Sequence, residues 1–172
     1  MDERTRTLVT ECTRQEESCL YTSTTLFEWL KALRRWRVAF VIVPIVLSSV
    51  ATWQLLAKGG YVWITGTCAL LAGLIPAIYK ALNFDVSLDA LAKQAHQFKT
   101  LQDRFRQVKS ITALAGFDQL KAEFTQLMEQ MDAARSSSMT APERFFRKAQ
   151  KKIAAGHYNF SADAPPGTGT GQ

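Results

Sequence analysis

Two uncharged stretches of nearly equal length govern what this 172-residue chain can fold into. Val38 to Ala57 and Gly59 to Tyr79 contain no Asp, Glu, Lys or Arg. Each is about 20 residues long, which at 1.5 Å per helical residue spans ~30 Å, the thickness of a bilayer's hydrocarbon core. A helix on the surface of a water-soluble domain carries charge along its outer side. These two are apolar all round, so the sequence predicts two transmembrane helices. A polar segment of 37 residues precedes the first one. A secretory signal places its apolar core near the N-terminus, so the first span reads as an internal signal-anchor.

Charge sets the expected orientation. The net charge is +6, and its placement is uneven. Lys31, Arg34, Arg35 and Arg37 gather before the first span, Lys80 closes the second, and only Lys58 lies between them. Basic residues beside span ends stay on the cytoplasmic side. The expectation is a multi-pass protein of the inner (plasma) membrane, with the Lys58-Gly59-Gly60 tip outside and both termini in the cytoplasm. Trp29 and Trp36 suit the inner headgroup layer, and Trp53, Tyr61 and Trp63 the outer one.

Outside the spans the apolar residues recur at helical spacing. Leu8, Cys12, Cys19, Leu26, Leu30 and Leu33 form a narrow seam on an otherwise polar helix, which the run Tyr21-Thr22-Ser23-Thr24-Thr25, poor in helix formers, is expected to interrupt. Phe84, Leu88, Leu91, Ala95, Phe98 and Phe105 occupy heptad positions, with Gln102 the one polar member; this pattern belongs to a coiled-coil or bundle helix. Gly116 marks its end or a turn. Phe117, Leu120, Phe124, Leu127, Met131 and Ala134 form a second seam that Ser136-Ser137-Ser138 breaks. Thr140-Ala141-Pro142-Glu143 has the form of a capping box, predicting a last helix to Ala155 with Gly156 as its stop. The expected fold class is all-α: a cytosolic N-terminal helix over 1–37, a transmembrane hairpin over 38–79, a cytosolic helical bundle over 80–156 and a disordered tail over 157–172.

Catalytic chemistry finds no foothold in this sequence. The two histidines, His96 and His157, are far apart. No His/Cys set has metal-ligand spacing, and no glycine loop precedes a helix in the manner of a phosphate cradle. The expectation is a non-enzyme without metal or cofactor, and without a nucleic-acid partner. Cys12 and Cys19, seven residues apart, read as packing residues, with a paired thiol switch as the alternative. Ser48 and Thr52 share one side of the first span; they read as plain helix packing or as the lining of a pore assembled from several copies. Gly66, Ala69, Gly73 and Ala77 form a small-residue side of the second span, serving either contact with the first span alone or also contact between subunits. Arg144, Arg147, Lys148, Lys151 and Lys152 crowd the last helix. They read as a solvated face, as a site for anionic lipid headgroups, or as one for a phosphorylated small ligand.

The layout has a familiar counterpart. The charged N-terminal helix, the Val38–Tyr79 pair with its Lys-Gly-Gly tip, the helix opening at Leu82-Asn83-Phe84-Asp85, and the stretch from Pro142-Glu143-Arg144-Phe145-Phe146 to Gly156-His157-Tyr158 together resemble the SLATT family. These are two-transmembrane effector domains found beside SMODS nucleotidyltransferases and SLOG sensors. The resemblance implies a bacterial membrane effector of antiphage defence that oligomerises and forms a pore or disrupts the bilayer after a nucleotide signal. It implies as partners the lipid bilayer, further copies of the chain, and a nucleotide second messenger or a cytosolic sensor protein. The alternative from the residues is a non-enzymatic membrane adaptor that recruits a cytosolic partner. A two-span calcium pore is disfavoured, because Leu56-Ala57-Lys58-Gly59-Gly60-Tyr61 carries no acidic residue.

The predicted topology has a direct test. A reporter fused after Gln172 is expected to be active only when it is of the kind that works in the cytoplasm, and a cysteine at Gly59 is expected to react with an impermeant reagent added outside. Labelling of the C-terminus from outside would reverse the orientation.

Overall fold

The computed structural model describes residues 2–56 and 61–156. The Lys58-Gly59-Gly60 tip and the tail over 157–172 lie outside the described residues, as does His157. Among the described residues the regular structure is entirely helical: α1 (Glu3–Leu56), α2 (Val62–Ala81), α3 (Phe84–Ser110), a 3-10 turn (Thr112–Leu114), α4 (Phe117–Ser136) and α5 (Glu143–Ala154). Two of these, α1 and α2, are long and apolar enough to cross a membrane.

The interruption expected at Tyr21–Thr25 does not occur, and α1 is one helix of 54 residues. Thr22 and Thr25 donate their hydroxyls to the carbonyls of Ser18 and Tyr21, one turn back, at 2.9 and 2.7 Å. Ser23, Thr24 and Thr25 are also buried. Tertiary packing and satisfied hydroxyls outweigh a propensity deficit of a few tenths of a kcal/mol per residue. The helix likewise continues through Pro44, which is buried.

The chain forms two compact units: residues 1–28 with 94–172, and residues 29–93. In the first, the heptad seam of α3 is the core, with Ala95, Phe98 and Phe105 at most 2% exposed. Phe105 meets Phe124 of α4 with ring centroids 6.2 Å apart. Cys19 of α1 lies 3.8 Å from the Met131 sulfur of α4. Glu16 of α1 pairs with Lys109 of α3 at 2.5 Å, and Phe27 packs edge-on against His96. The turn from α3 to α4 uses Gly116 at φ 122°, a conformation that a side chain would strain. The link from α4 to α5 is held by the buried Gln94, which donates to the Ser137 carbonyl and accepts from the Met139 N–H. That bond accounts for the fixed path of a serine-rich segment.

The last helix begins later than the capping box suggests. Its N-cap is Pro142, with no side-chain cap hydrogen bond, and Thr140 precedes the helix. It ends as expected, with Gly156 at φ 76°.

In the second unit, the later half of α1 and α2 run antiparallel. Phe40 meets Tyr79 at one end, and Gln54 accepts a hydrogen bond from Thr65 at the other, at 3.1 Å. Phe84 of α3 completes an aromatic cluster with Phe40 and Tyr79. Beside it Asp85 accepts from Tyr79 at 2.6 Å and pairs with Arg37 at 3.0 Å, joining three helices at one polar point.

Phe98→Asp places a carboxylate without a partner in the α3 core and is expected to cost more than about 3 kcal/mol. Leu114→Asp, at a position 88% exposed, should change stability by less than about 0.5 kcal/mol. Urea unfolding of the detergent-solubilised chain, followed by circular dichroism, checks both.

Candidate functional site

Three surfaces among the described residues carry the chemistry. The first is the apolar exterior of the second unit. Val41, Ile45, Val46, Trp53, Leu70 and Leu74 are all exposed, and α2 has no buried residue at all. The half-buried residues of α2 are Ile64, Thr65, Cys68, Ala72, Ile75 and Tyr79. From Thr65 onward they repeat at three and four, so this stripe is the one that α2 turns toward α1.

Gly66, Ala69, Gly73 and Ala77 lie roughly 120° further round the helix. All four are exposed, and a Cβ built on Gly66 or Gly73 meets nothing within 4 Å. Among the described residues, nothing packs closely against Gly66 or Gly73. Both sequence readings give these residues contact with the first span, and the geometry does not show that contact at Gly66 or Gly73.

Ser48 and Thr52 do share one side of α1, on its exposed surface, in a shallow depression with Ile45, Ser49, Trp53 and Leu56. Each hydroxyl is donated to its own helix: Ser48 to the Pro44 carbonyl at 2.8 Å, Ser49 to Ile45 at 2.9 Å and Thr52 to Ser48 at 2.9 Å. Their protons are engaged, so what they turn outward is acceptor oxygen. A neighbouring helix or water can donate to that strip at no cost in broken bonds.

The third surface is α5 and what it rests on. Glu28 sits on the opposite side of α1 from Leu26, since two residues turn a helix by ~200°. It is 1% exposed. Lys148 approaches one carboxylate oxygen at 2.9 Å and Lys152 the other at 2.6 Å. Phe145 and Ala149, one turn apart on the same helix, are buried, and Phe146 meets Tyr21 with ring centroids 6.3 Å apart. The five-residue basic cluster is thus divided. Lys148 and Lys152 are bound to an internal carboxylate, Arg147 pairs with Glu143 at 3.4 Å, Arg144 lies over the Phe145 ring, and Lys151 is exposed.

Cys12 and Cys19 are at most 1% exposed, and burial pushes both thiols up to about 11. They stay protonated at neutral pH, the state in which a thiol is a poor nucleophile. This favours the packing reading over the thiol switch. Among the described residues no group of three or more His, Cys, Asp or Glu is placed to hold a metal ion. The chain matches no protein-family model, no curated protein and no solved structure.

Sequence reasoning missed Glu28, Gln94 and the Arg37–Asp85–Tyr79 contact. For Glu28 a signal exists: one acidic residue follows the hydroxyl-rich run 21–25, and Lys148 and Lys152 stand one turn apart near the buried pair Phe145 and Ala149. Nothing local marks Gln94, whose partners lie more than 40 residues away.

Removing both lysines by Lys148→Met and Lys152→Met takes the two α5 cations away from a carboxylate that is 1% exposed and is expected to cost about 3 kcal/mol. Adding Glu28→Leu to that pair should recover most of the loss, because an apolar trio needs no ion partners. A non-additive cycle of this kind in thermal unfolding checks it; equal losses in double and triple variants would contradict it.

Proposed function

We propose that the chain is an integral membrane effector that oligomerises and opens a pore or otherwise breaches the bilayer. In this reading α1 from Val38 onward and α2 form a transmembrane hairpin in the inner membrane, and the first compact unit is a cytosolic bundle. The observation that carries it is the exterior of α2, which is apolar, unburied and open along Gly66, Ala69, Gly73 and Ala77. Apolar surface of that extent is at home in lipid rather than water. A side made of small residues, left empty within one chain, suits close approach of a helix from another.

Two spans cannot enclose a conduit alone, so the pore is an assembly property. The depression containing Ser48, Ser49 and Thr52 is the most polar strip on the exposed side of the first span and is the proposed lining. The resemblance to the SLATT family supplies the setting: bacterial antiphage defence, with a nucleotide messenger or a cytosolic sensor protein as trigger.

Ser48→Leu with Thr52→Leu makes the strip as apolar as its surroundings, and an apolar constriction gates by dewetting. The double variant should insert and oligomerise as the unmodified chain does, because leucine favours insertion. Its dye release from liposomes should fall by roughly tenfold, equivalent to about 1.4 kcal/mol in a rate. Thr67→Leu on α2, outside the depression, is the matched control. Unchanged release at equal membrane content would sink the assigned lining. Absence of release from the unmodified chain under every trigger would favour the adaptor reading instead.

A further inference from the structure

The side of α1 that carries the proposed lining also carries charge. Leu33, Phe40, Pro44, Leu47, Ala51 and Gln54, all buried or half-buried, recur at spacings of seven, four and three, so the packed side of the helix keeps one register through Pro44. The opposite side is open along the same length. At 100° per residue, Arg34, Val38, Ile45, Ser49 and Thr52 fall within ~60° of one another, and Arg35 and Ser48 flank them by ~40° on either side. All seven are exposed. The strip therefore runs from two guanidinium groups, past valine and isoleucine, to the hydroxyls. It covers ~27 Å from Arg34 to Thr52 at 1.5 Å per residue. Every one of these residues belongs to the second compact unit and to one unbroken helix.

The charge on this strip has one sign. Arg37 is paired with Asp85, whereas Arg34 and Arg35 have no acidic partner among the described residues. Lys31, one turn before them, is exposed as well. The acidic residues of this unit are Asp85 and Asp89, both on α3. Between Val38 and Tyr79 the single charged residue is Lys58, at the tip. A conduit built from such hairpins opens among cations at both ends.

The geometry points to a conduit that selects small inorganic anions, with Arg34 and Arg35 of each copy forming a ring at its cytosolic mouth. This rests on the proposed pore and its lining, and adds the class of ion that crosses. A ring of like charges concentrates counter-ions at a mouth and repels ions of its own sign. Val38 lies one turn, ~6 Å, beyond Arg34. That is inside the ~8 Å over which charge is felt at physiological salt, so the arginines act on ions at the threshold of the apolar section. The oxygens of Ser48 and Thr52 pull the other way, since acceptors favour a cation. They carry fractions of a charge and the arginines whole ones, and Coulomb energy scales with charge. The hydroxyls wet the strip, and the arginines decide which ion enters it.

The test reads reversal potentials of the full chain in planar bilayers of phosphatidylcholine, whose headgroups add no net charge, under a KCl gradient. Chloride permeability should exceed that of potassium roughly tenfold. The preference should shrink at ~1 M salt, where the Debye length is about 3 Å. Arg34→Gln with Arg35→Gln should abolish it, and Arg34→Glu with Arg35→Glu should reverse it. Arg34→Lys with Arg35→Lys should keep it, because charge is what acts. Basic residues beside a span also set topology, so impermeant labelling of a cysteine at Gly59 checks that each variant keeps the orientation of the unmodified chain. Each single Gln exchange should lower the ratio partway, which keeps the test valid if a double variant inserts poorly. Potassium preference, or none, in a conducting unmodified chain would overturn the proposal and leave the pore standing. Chloride preference that survives both Gln exchanges would overturn the assignment to Arg34 and Arg35. A chain that inserts but never conducts would remove the pore reading and this inference with it.

Discussion

A carboxylate withdrawn from water has to be neutralised where it lies, and in the first compact unit that constraint falls on Glu28. Its two oxygens are each met by a lysine from α5. Those lysines reach a residue more than 100 positions earlier in the chain, so the last helix is fixed against the first by charge as well as by Phe145 and Ala149. Ser23, Thr24 and Thr25, in the turn before Glu28, are buried as well, and this segment of weak helix propensity stays helical.

The second unit obeys the opposite constraint. Its surface is apolar where the first unit's is charged, and α2 buries nothing. What polarity it has is either internal, as in the hydroxyls of Ser48, Ser49 and Thr52 bonded to their own backbone, or gathered at the end where Arg37, Tyr79 and Asp85 meet. That distribution is what a solvent unable to hydrogen-bond demands. Within it, α2 offers two distinct sides. The stripe from Thr65 to Tyr79 faces α1, and the glycine and alanine side faces outward, empty.

The helical fold class and most element boundaries were legible from spacing alone. The heptads of α3, the seam of α4, the Gly116 turn and the Gly156 stop all follow from local sequence, because helical periodicity and backbone conformation are local properties. The continuity of α1 was not legible, since packing overrode the propensity of Tyr21–Thr25. Nor was the start of α5, where Pro142 took the cap position from Thr140. The basic cluster was visible as composition, but its division between Glu28 and solvent was not.

The sequence by itself determined that two segments are apolar all round and that the remaining helices carry apolar seams, because both depend only on the order of residues along a helix. Only the tertiary structure decided which of several available faces is used. It chose the Thr65–Tyr79 stripe of α2 over the small-residue side, and it drew two of five basic residues on α5 inward to a buried carboxylate. The physical reason is that a helix offers all its faces equally to solvent, and selection among them comes from partners distant in the chain, whose approach no local pattern records.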